Sequence, residues 1–430
     1  DPFSGEDPEM KRRILLRGAR QLLTLHGSSG PRRGAAMREL GIIPDGALLL
    51  RDGVIEAVGP TRRIENLAEA RDAAEIAADG RVVLPGFVDP RTQLVCGTPL
   101  LAEYEASISG DAEPGWRASS GRQQALVRAA RSATRSRMEM VARKALREFA
   151  RHGTTTVEAK SGLGLDDRTE IKILRAVHAL QGRPLGILLT YYGASAAPPD
   201  GGKTASEYLD WIAATMLPKI RRLRLADFVE ARCGPGAFSG EQARAYLAAA
   251  RKAGFIPKVT SGEHSADDGA AVATELGAAS ADHLEHAEES AIARLANSST
   301  VAVLVPGAAF QHARSRYAPA RALIDAGVAV ALASGYSADA SGTCSMPAVM
   351  SLACNEMRMT PAEAVTAATI NAAHAVRCAD QIGSLEFGKS ADMIMMNVSD
   401  YRESPYRFGV NLVALTMKRG NVVYPRMEFS

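Results

Sequence analysis

Between residues 86 and 333 the chain alternates short apolar runs with longer stretches whose apolar positions recur at helical spacing. The apolar runs fall at 86–95, 154–159, 186–192, 226–232, 256–261, 279–284, 300–305 and 328–333. Most are separated by segments rich in Ala, Arg, Glu and Leu, a strand–helix alternation that predicts an α/β fold, a (β/α)8 TIM-like barrel. The two ends follow another rule. Residues 10–84 read as short strands, and the Asp52-Gly53 pair inside ALLLRDGVIEAV predicts a hairpin. Similar strand patterns return at 391–398 and 413–424. The expectation is a small β-sandwich domain built from both termini, 10–84 with 380–430, around a barrel over 85–379. Residues 1–9, polar and carrying two prolines, read as a cloning remnant or disordered tail and are left out of the fold.

Two helices have clear local signals. Thr360, Pro361 and Glu363 supply an N-cap, a first-turn proline and a capping box, with Ala364, Ala367, Ala368 and Ala372 along one face. Arginines crowd 117–151 but interleave with Ala, Leu, Val and Met, which predicts the wet face of one long helix rather than a polyanion site.

Composition narrows the function. A net charge of +3 is too near balance to suggest nucleic acid. No apolar run approaches the ~20 residues that cross a bilayer. After Lys11-Arg12-Arg13 the apolar stretch ends at Arg17, short of the ~7–15 residues of a secretory signal. The five cysteines are odd in number and hold no C-x-x-C pair, which argues for a reducing, cytoplasmic setting and against a thiolate zinc site.

Chemistry in such a barrel sits at the C-terminal strand ends. There the sequence places Arg91, Gln93 and Cys96; Lys160-Ser161-Gly162-Leu163-Gly164; Tyr191-Tyr192 and Ser195; Thr260 with Glu263-His264; His283 and His286; and Ser334-Gly335-Tyr336. Arg91 and Gln93 are two apart, so on a strand both point the same way.

From residue 14 to 424 the chain resembles an imidazolonepropionase, an amidohydrolase-superfamily enzyme that opens a cyclic amide in histidine breakdown. The matching stretches include PGFVDPRTQLV, HGTTTVEAKSGLGL, LGAASADHLEH, TVAVLVPGAAF, YAPARALIDAGVAVALAS, MRMTPAEAVTAATINAA and GSLEFGKSADMI. The resemblance implies a barrel plus a two-ended β-sandwich, a homodimer, and a metal site of zinc or iron. The family's metal ligands then fall on other residue types: the H-x-H pair on Arg91 and Gln93, a strand-five histidine on Thr260, a strand-eight aspartate on Gly335. Substrate contacts change as well, with the family's arginine, tyrosine and histidine falling on Pro99, Leu163 and Ser195. Glu263, matching the general acid/base, and His283, which in the family lies beside the attacking water, are retained.

Arginine is no zinc ligand. A +1 and a +2 charge ~5 Å apart repel by roughly 6–7 kcal/mol at an effective dielectric near 20. No cofactor is therefore expected. Glu263 and His283 are the candidate acid/base pair. Arg91, Gln93, Lys160, Leu163, Tyr192, Ser195, Thr260, His264 and Gly335 are candidates to hold a small polar ligand. Arg91 either binds an anionic or carbonyl group or forms a salt bridge, with Glu263 as the expected partner. Cys96 is read as a small buried hydrophobe before a nucleophile. Three functions are consistent with this set: metal-independent ring opening, C–N hydrolysis or elimination; a catalytically silent ligand sensor or partner subunit; and cyclic amide hydrolysis with a metal moved to Glu263, His264, His283 and His286.

Overall fold

A computed structural model describes residues 13–95, 100–109, 120–197 and 202–425. The first sheet begins with β1 (Arg13–Leu23), β2 (Ile42–Arg51), β3 (Val54–Pro60), β4 (Ala74–Ala77) and β5 (Val82–Pro85). It is completed from the far end of the chain by β14 (Met393–Met396), β15 (Val413–Lys418) and β16 (Asn421–Tyr424). Its order is β16-β15-β14-β5-β1-β2-β3, with β4 pairing β1. Alternation along the strands gives each face its own core: Leu16, Leu48 and Met393 pack on one side, Leu15, Leu49 and Ile64 on the other. The predicted hairpin joins β2 to β3, with Arg51 opposite Val54. Asp52 and Gly53 both have positive φ, 52° and 79°, as a two-residue turn of this twist requires.

The second sheet is parallel throughout: β6 (Phe87–Thr92), β7 (Thr154–Lys160), β8 (Gly186–Ala194), β9 (Phe228–Arg232), β10 (Ile256–Ser261), β11 (Ser280–His283), β12 (Val301–Leu304) and β13 (Val330–Leu332). Each strand pairs with its neighbour in sequence, and β6 and β13 approach one another through a Thr92–Tyr336 bridge. The Gln93 amide donates to the Tyr336 carbonyl across that seam at 2.7 Å. This is the (β/α)8 barrel the alternating pattern predicts, with a separate two-ended sheet beside it. Lys418 on β15 ties the two together, donating to Thr156 Oγ1 on β7 at 3.2 Å and pairing with Asp392 at 2.5 Å.

Two helical expectations are corrected. The capping box at Thr360 is present, but that helix stops at Ala368 and Ala372 lies on a following helix, Ile370–Ala375. The break is at Thr369, whose hydroxyl donates to the Val365 carbonyl at 2.7 Å and whose backbone turns to φ −126°, ψ −96°. The arginine-rich stretch forms two helices, Ser120–Ser132 and Arg135–Arg151, because Thr134 caps the second by accepting from the Arg137 amide. Among the described residues no helix is long and apolar enough to cross a membrane.

Candidate active site

Along β7, Glu158 and Lys160 are two apart, as are Glu230 and Arg232 on β9, Lys258 and Thr260 on β10, and Ser280 and Asp282 on β11. A spacing of two keeps each pair on one face, here the inside of the barrel. The lower layer is a buried ionic network. Arg91 Nη1 lies 2.9 Å from Glu230 Oε1, 2.8 Å from Asp282 Oδ2 and 3.0 Å from Thr260 Oγ1. Lys160 pairs with Glu230 and, at 2.7 Å, with Asp282 Oδ2. Lys258 pairs with Glu158, which also accepts from the Thr190 hydroxyl. Three cations thus face three carboxylates in the barrel interior.

Burial would strip the charge from each of these groups, and their mutual attraction restores it. Desolvation pulls the Lys160 ammonium down, but Asp282, Glu158 and Glu230 raise it above its usual value. Burial likewise opposes ionised Asp282, yet Lys160, Lys258 and Arg91 hold its carboxyl below the usual range.

Arg91 therefore forms a salt bridge, but not to Glu263. Glu263 lies beyond the end of β10, whereas Glu230 and Asp282 point inward from neighbouring strands directly against the guanidinium. Thr260 sits below the cavity surface. It is fully buried, donates to Glu230 Oε1 at 2.6 Å, and accepts from Arg91 and from the Tyr192 hydroxyl at 3.0 Å. Gln93 donates to the Ser161 carbonyl at 3.0 Å. Gly335 has φ +66°, and a Cβ there would stand 2.3 Å from Val305 Cγ1. A guanidinium, a carboxamide, a hydroxyl and a glycine do not form a zinc or iron donor set, and two cations already occupy the carboxylates nearby. The implied metal does not fit these residues. Nor do Glu263, His264, His283 and His286 form a relocated site: among the described residues no three His, Cys, Asp or Glu side chains stand together as metal donors.

Above the network a cavity opens at the mouth, walled by Arg91, Gln93, Lys160, Leu163, Tyr192, Ser195, Glu263, His264, His283 and Gly335. Tyr192 covers both cations, with its ring centroid 5.7 Å from the Arg91 guanidinium and from Lys160 Nζ. Its neighbour Tyr191 is fully buried in the core. Ser195 Oγ donates to the Gly162 carbonyl at 2.9 Å. Cys96 and Pro99 lie outside the described residues.

Glu263 and His283 arrive on adjacent loops. The amides of Leu284 and His286 donate to the carbonyls of Ser261 and Gly262, both at 2.9 Å, which stitches the two strand ends together. His283 and Leu284 have φ of 81° and 69°, costly conformations for non-glycine residues and a pattern that recurs at functional sites. His283 Nδ1 is 3.0 Å from Glu285 Oε1. Burial alone would raise the Glu263 carboxyl, but His283, His264, Arg232 and Arg314 hold it well below the usual carboxylate range. Arg314 Nη2 stands 3.5 Å from Glu263 Oε1, and His264 Nε2 3.4 Å from it. Burial lowers the His264 imidazole, and Arg314 and Arg232 add to that against the pull of Glu263. His286 is half-buried beside the site rather than in its wall.

Two carboxylates unnoticed in the sequence hold the loops. Asp267 accepts from Ser261 Oγ and from the amides of Gly262 and Gly269 at 2.7–2.8 Å. Glu170 accepts from the amides of Gly162, Gly164 and Leu165 at 2.7–3.2 Å. The network residues Glu158, Glu230, Lys258 and Asp282 were missed as well. Their signal is a charge inside an otherwise apolar strand, as in FVEA and IPKV.

The sequence model of the amidohydrolase family matches residues 99–424. The imidazolonepropionase of Brevibacillus brevis is 39% identical over 421 residues, spanning 96% of this chain and 98% of its own. That of Geobacillus kaustophilus is 42% identical over 419 residues, with the same coverage. Among solved structures, a triazine hydrolase variant superposes with a TM-score of 0.72 at 17% identity, covering 96% of this chain and 94% of its own. An adenosine deaminase from Xanthomonas campestris with bound zinc gives 0.67 at 18% identity, covering 96% and 93%. At such identities the structural likeness speaks for the fold.

Proposed function

Because the chain belongs to the amidohydrolase family, with imidazolonepropionases among its relatives, we propose that it opens a C–N bond of a small polar cyclic compound by acid/base chemistry that needs no metal ion. The observation carrying this is the placement of Glu263 in the cavity wall, with Arg314 Nη2 3.5 Å and His264 Nε2 3.4 Å from its Oε1 and His283 in the same wall on the loop stitched to its own. Glu263 accepts a proton from the attacking water and returns it to the leaving nitrogen. His283, its Nδ1 turned to Glu285, offers Nε2 to the substrate. Proton transfer of this kind supplies ~10²–10⁴-fold, which suits an activated ring better than an ordinary amide.

A panel of activated cyclic amides and amidines tests the proposal. Glu263→Gln should lower turnover by ~10²–10⁴-fold with the fold intact by circular dichroism, and chelator treatment should leave the wild-type rate unchanged. The depressed Glu263 carboxyl also sets the sign of the pH response. Its base form persists down to its lowered value, so it contributes no loss of rate between pH 5 and 7, and loss begins only below the ordinary carboxylate range.

The closed ionic network favours a second reading, a catalytically silent ligand-binding barrel, because each cation there already has its carboxylate. Compounds that bind without turnover, equally to wild type and Glu263→Gln, would replace the first reading with this one.

A further inference from the structure

Three carboxylates in a barrel interior need counter-cations, since an unpaired buried charge is strongly destabilising. In this chain Lys258 balances Glu158, while Glu230 and Asp282 are balanced by Arg91 and Lys160. One atom, Arg91 Nη1, sits among three oxygens of Glu230, Asp282 and Thr260 at 2.8–3.0 Å. Asp282 has a further fixed partner, since Ser280 Oγ donates to its Oδ1 at 2.5 Å. The Asp282 carboxylate is therefore fixed by Ser280 through one oxygen, and its other oxygen faces the guanidinium together with Lys160 Nζ.

We propose that Arg91 is a resident counter-cation: it fills the oxygen cradle of Glu230, Asp282 and Thr260, so that Arg91 and a divalent ion compete for the same oxygens and the mouth of the barrel is closed to divalent ions. Charge requires the occupant to be a cation, and shape favours arginine. One guanidinium nitrogen, Nη1, meets two carboxylates and a hydroxyl at once, its charge spread over a planar group that loses less on burial than an ammonium and stands on a longer stem than lysine's. Lys160 takes the other oxygen of Glu230 and shares Asp282 Oδ2 with Arg91, so an entering ion meets repulsion from both cations. Gly335 adds no donor at the mouth, because its backbone conformation and the nearby Val305 methyl leave no room for a coordinating side chain there. The cradle is made of oxygen alone, so the ion it would take without Arg91 is a hard one of the Mn2+ or Mg2+ class. This inference extends the metal-independent half of the proposed function and stands whether or not the chain is catalytic.

The test reads binding and stability, not turnover. Wild type and Arg91→Ala, each dialysed against chelator, are titrated with MnCl2 and followed by the electron spin resonance of free Mn2+ and by thermal unfolding. Wild type should bind no Mn2+ and show no shift in Tm. Arg91→Ala should bind about one equivalent and gain several degrees in Tm. Methylguanidinium should produce a similar gain and displace the Mn2+, and adding Glu230→Gln should abolish both effects. Stoichiometric Mn2+ uptake by wild type, or an Arg91→Ala protein indifferent to both Mn2+ and methylguanidinium, overturns the proposal. Should Arg91→Ala fail to accumulate, the double variant Arg91→Met/Asp282→Asn removes one charge of each sign. Recovery of folded protein there supports a counter-charge role, and failure there as well shows that the requirement is not charge and overturns it.

Discussion

Asp89 is a carboxyl group with one oxygen satisfied and one not. Its Oδ1 accepts from the amides of Arg91 and Ser334 at 3.3 and 3.2 Å, while Oδ2 is buried without a hydrogen-bond partner. Burial pushes this carboxyl up to about 7, against the hydrogen bonds from Ser334 and Arg91 and with help from Glu158. The folded chain therefore binds a proton there that the unfolded chain releases near pH 4. The associated stability is complete below that value and falls as pH rises toward 7. Asp89→Asn keeps the accepting oxygen and removes the charge. It should raise the unfolding free energy more at pH 8 than at pH 5, by an increment on the order of a few kcal/mol, measured by denaturant unfolding at the two pH values. Such residues are hard to find in a sequence. Glu263 and His283 stand out as candidates because a family motif surrounds them, but Glu230 and Asp282 gain their meaning only when β9 and β11 face β6 across the barrel interior. A lone charge in an apolar strand marks a buried partner without saying which residue the partner is.

At the scale of elements the apolar pattern carried further. Every barrel strand lies within or against a predicted run, and the Asp52-Gly53 hairpin and the Thr360 cap form from local signals alone. The helix breaks were less visible, because Thr134 and Thr369 suit a helix surface until their hydroxyls take backbone partners. Loops were the least visible. The segment after β7 is shaped by Glu170, which belongs to the following helix and reaches back to three of the loop's amides. Replacing that carboxylate with an amide turns an acceptor into a donor facing N–H groups. Glu170→Gln should cost about 1–3 kcal/mol in denaturant unfolding and, because Leu163 rides on this loop, should weaken ligand binding more than the rate at saturation.

The whole molecule joins a sheet made from the chain's two ends to a barrel made from its middle. Lys418 and Asp392 are both buried at that junction, so removing one takes from the other its close ion-pair partner. Lys418→Met should cost about 3–5 kcal/mol, and Asp392→Asn in the same chain should recover part of it, a coupling that a double-mutant cycle of unfolding free energies would measure. The barrel itself is not equally strong all the way round. Seven of its strand junctions are hydrogen-bonded ladders, but β13 and β6 meet through the Thr92–Tyr336 bridge and the Gln93 amide. In amide exchange that seam should trade its hydrogens sooner than the ladder between β9 and β10. The cylinder would then behave as a clasped band whose clasp lies beside Arg91, so any compound seated in the mouth also fastens the band.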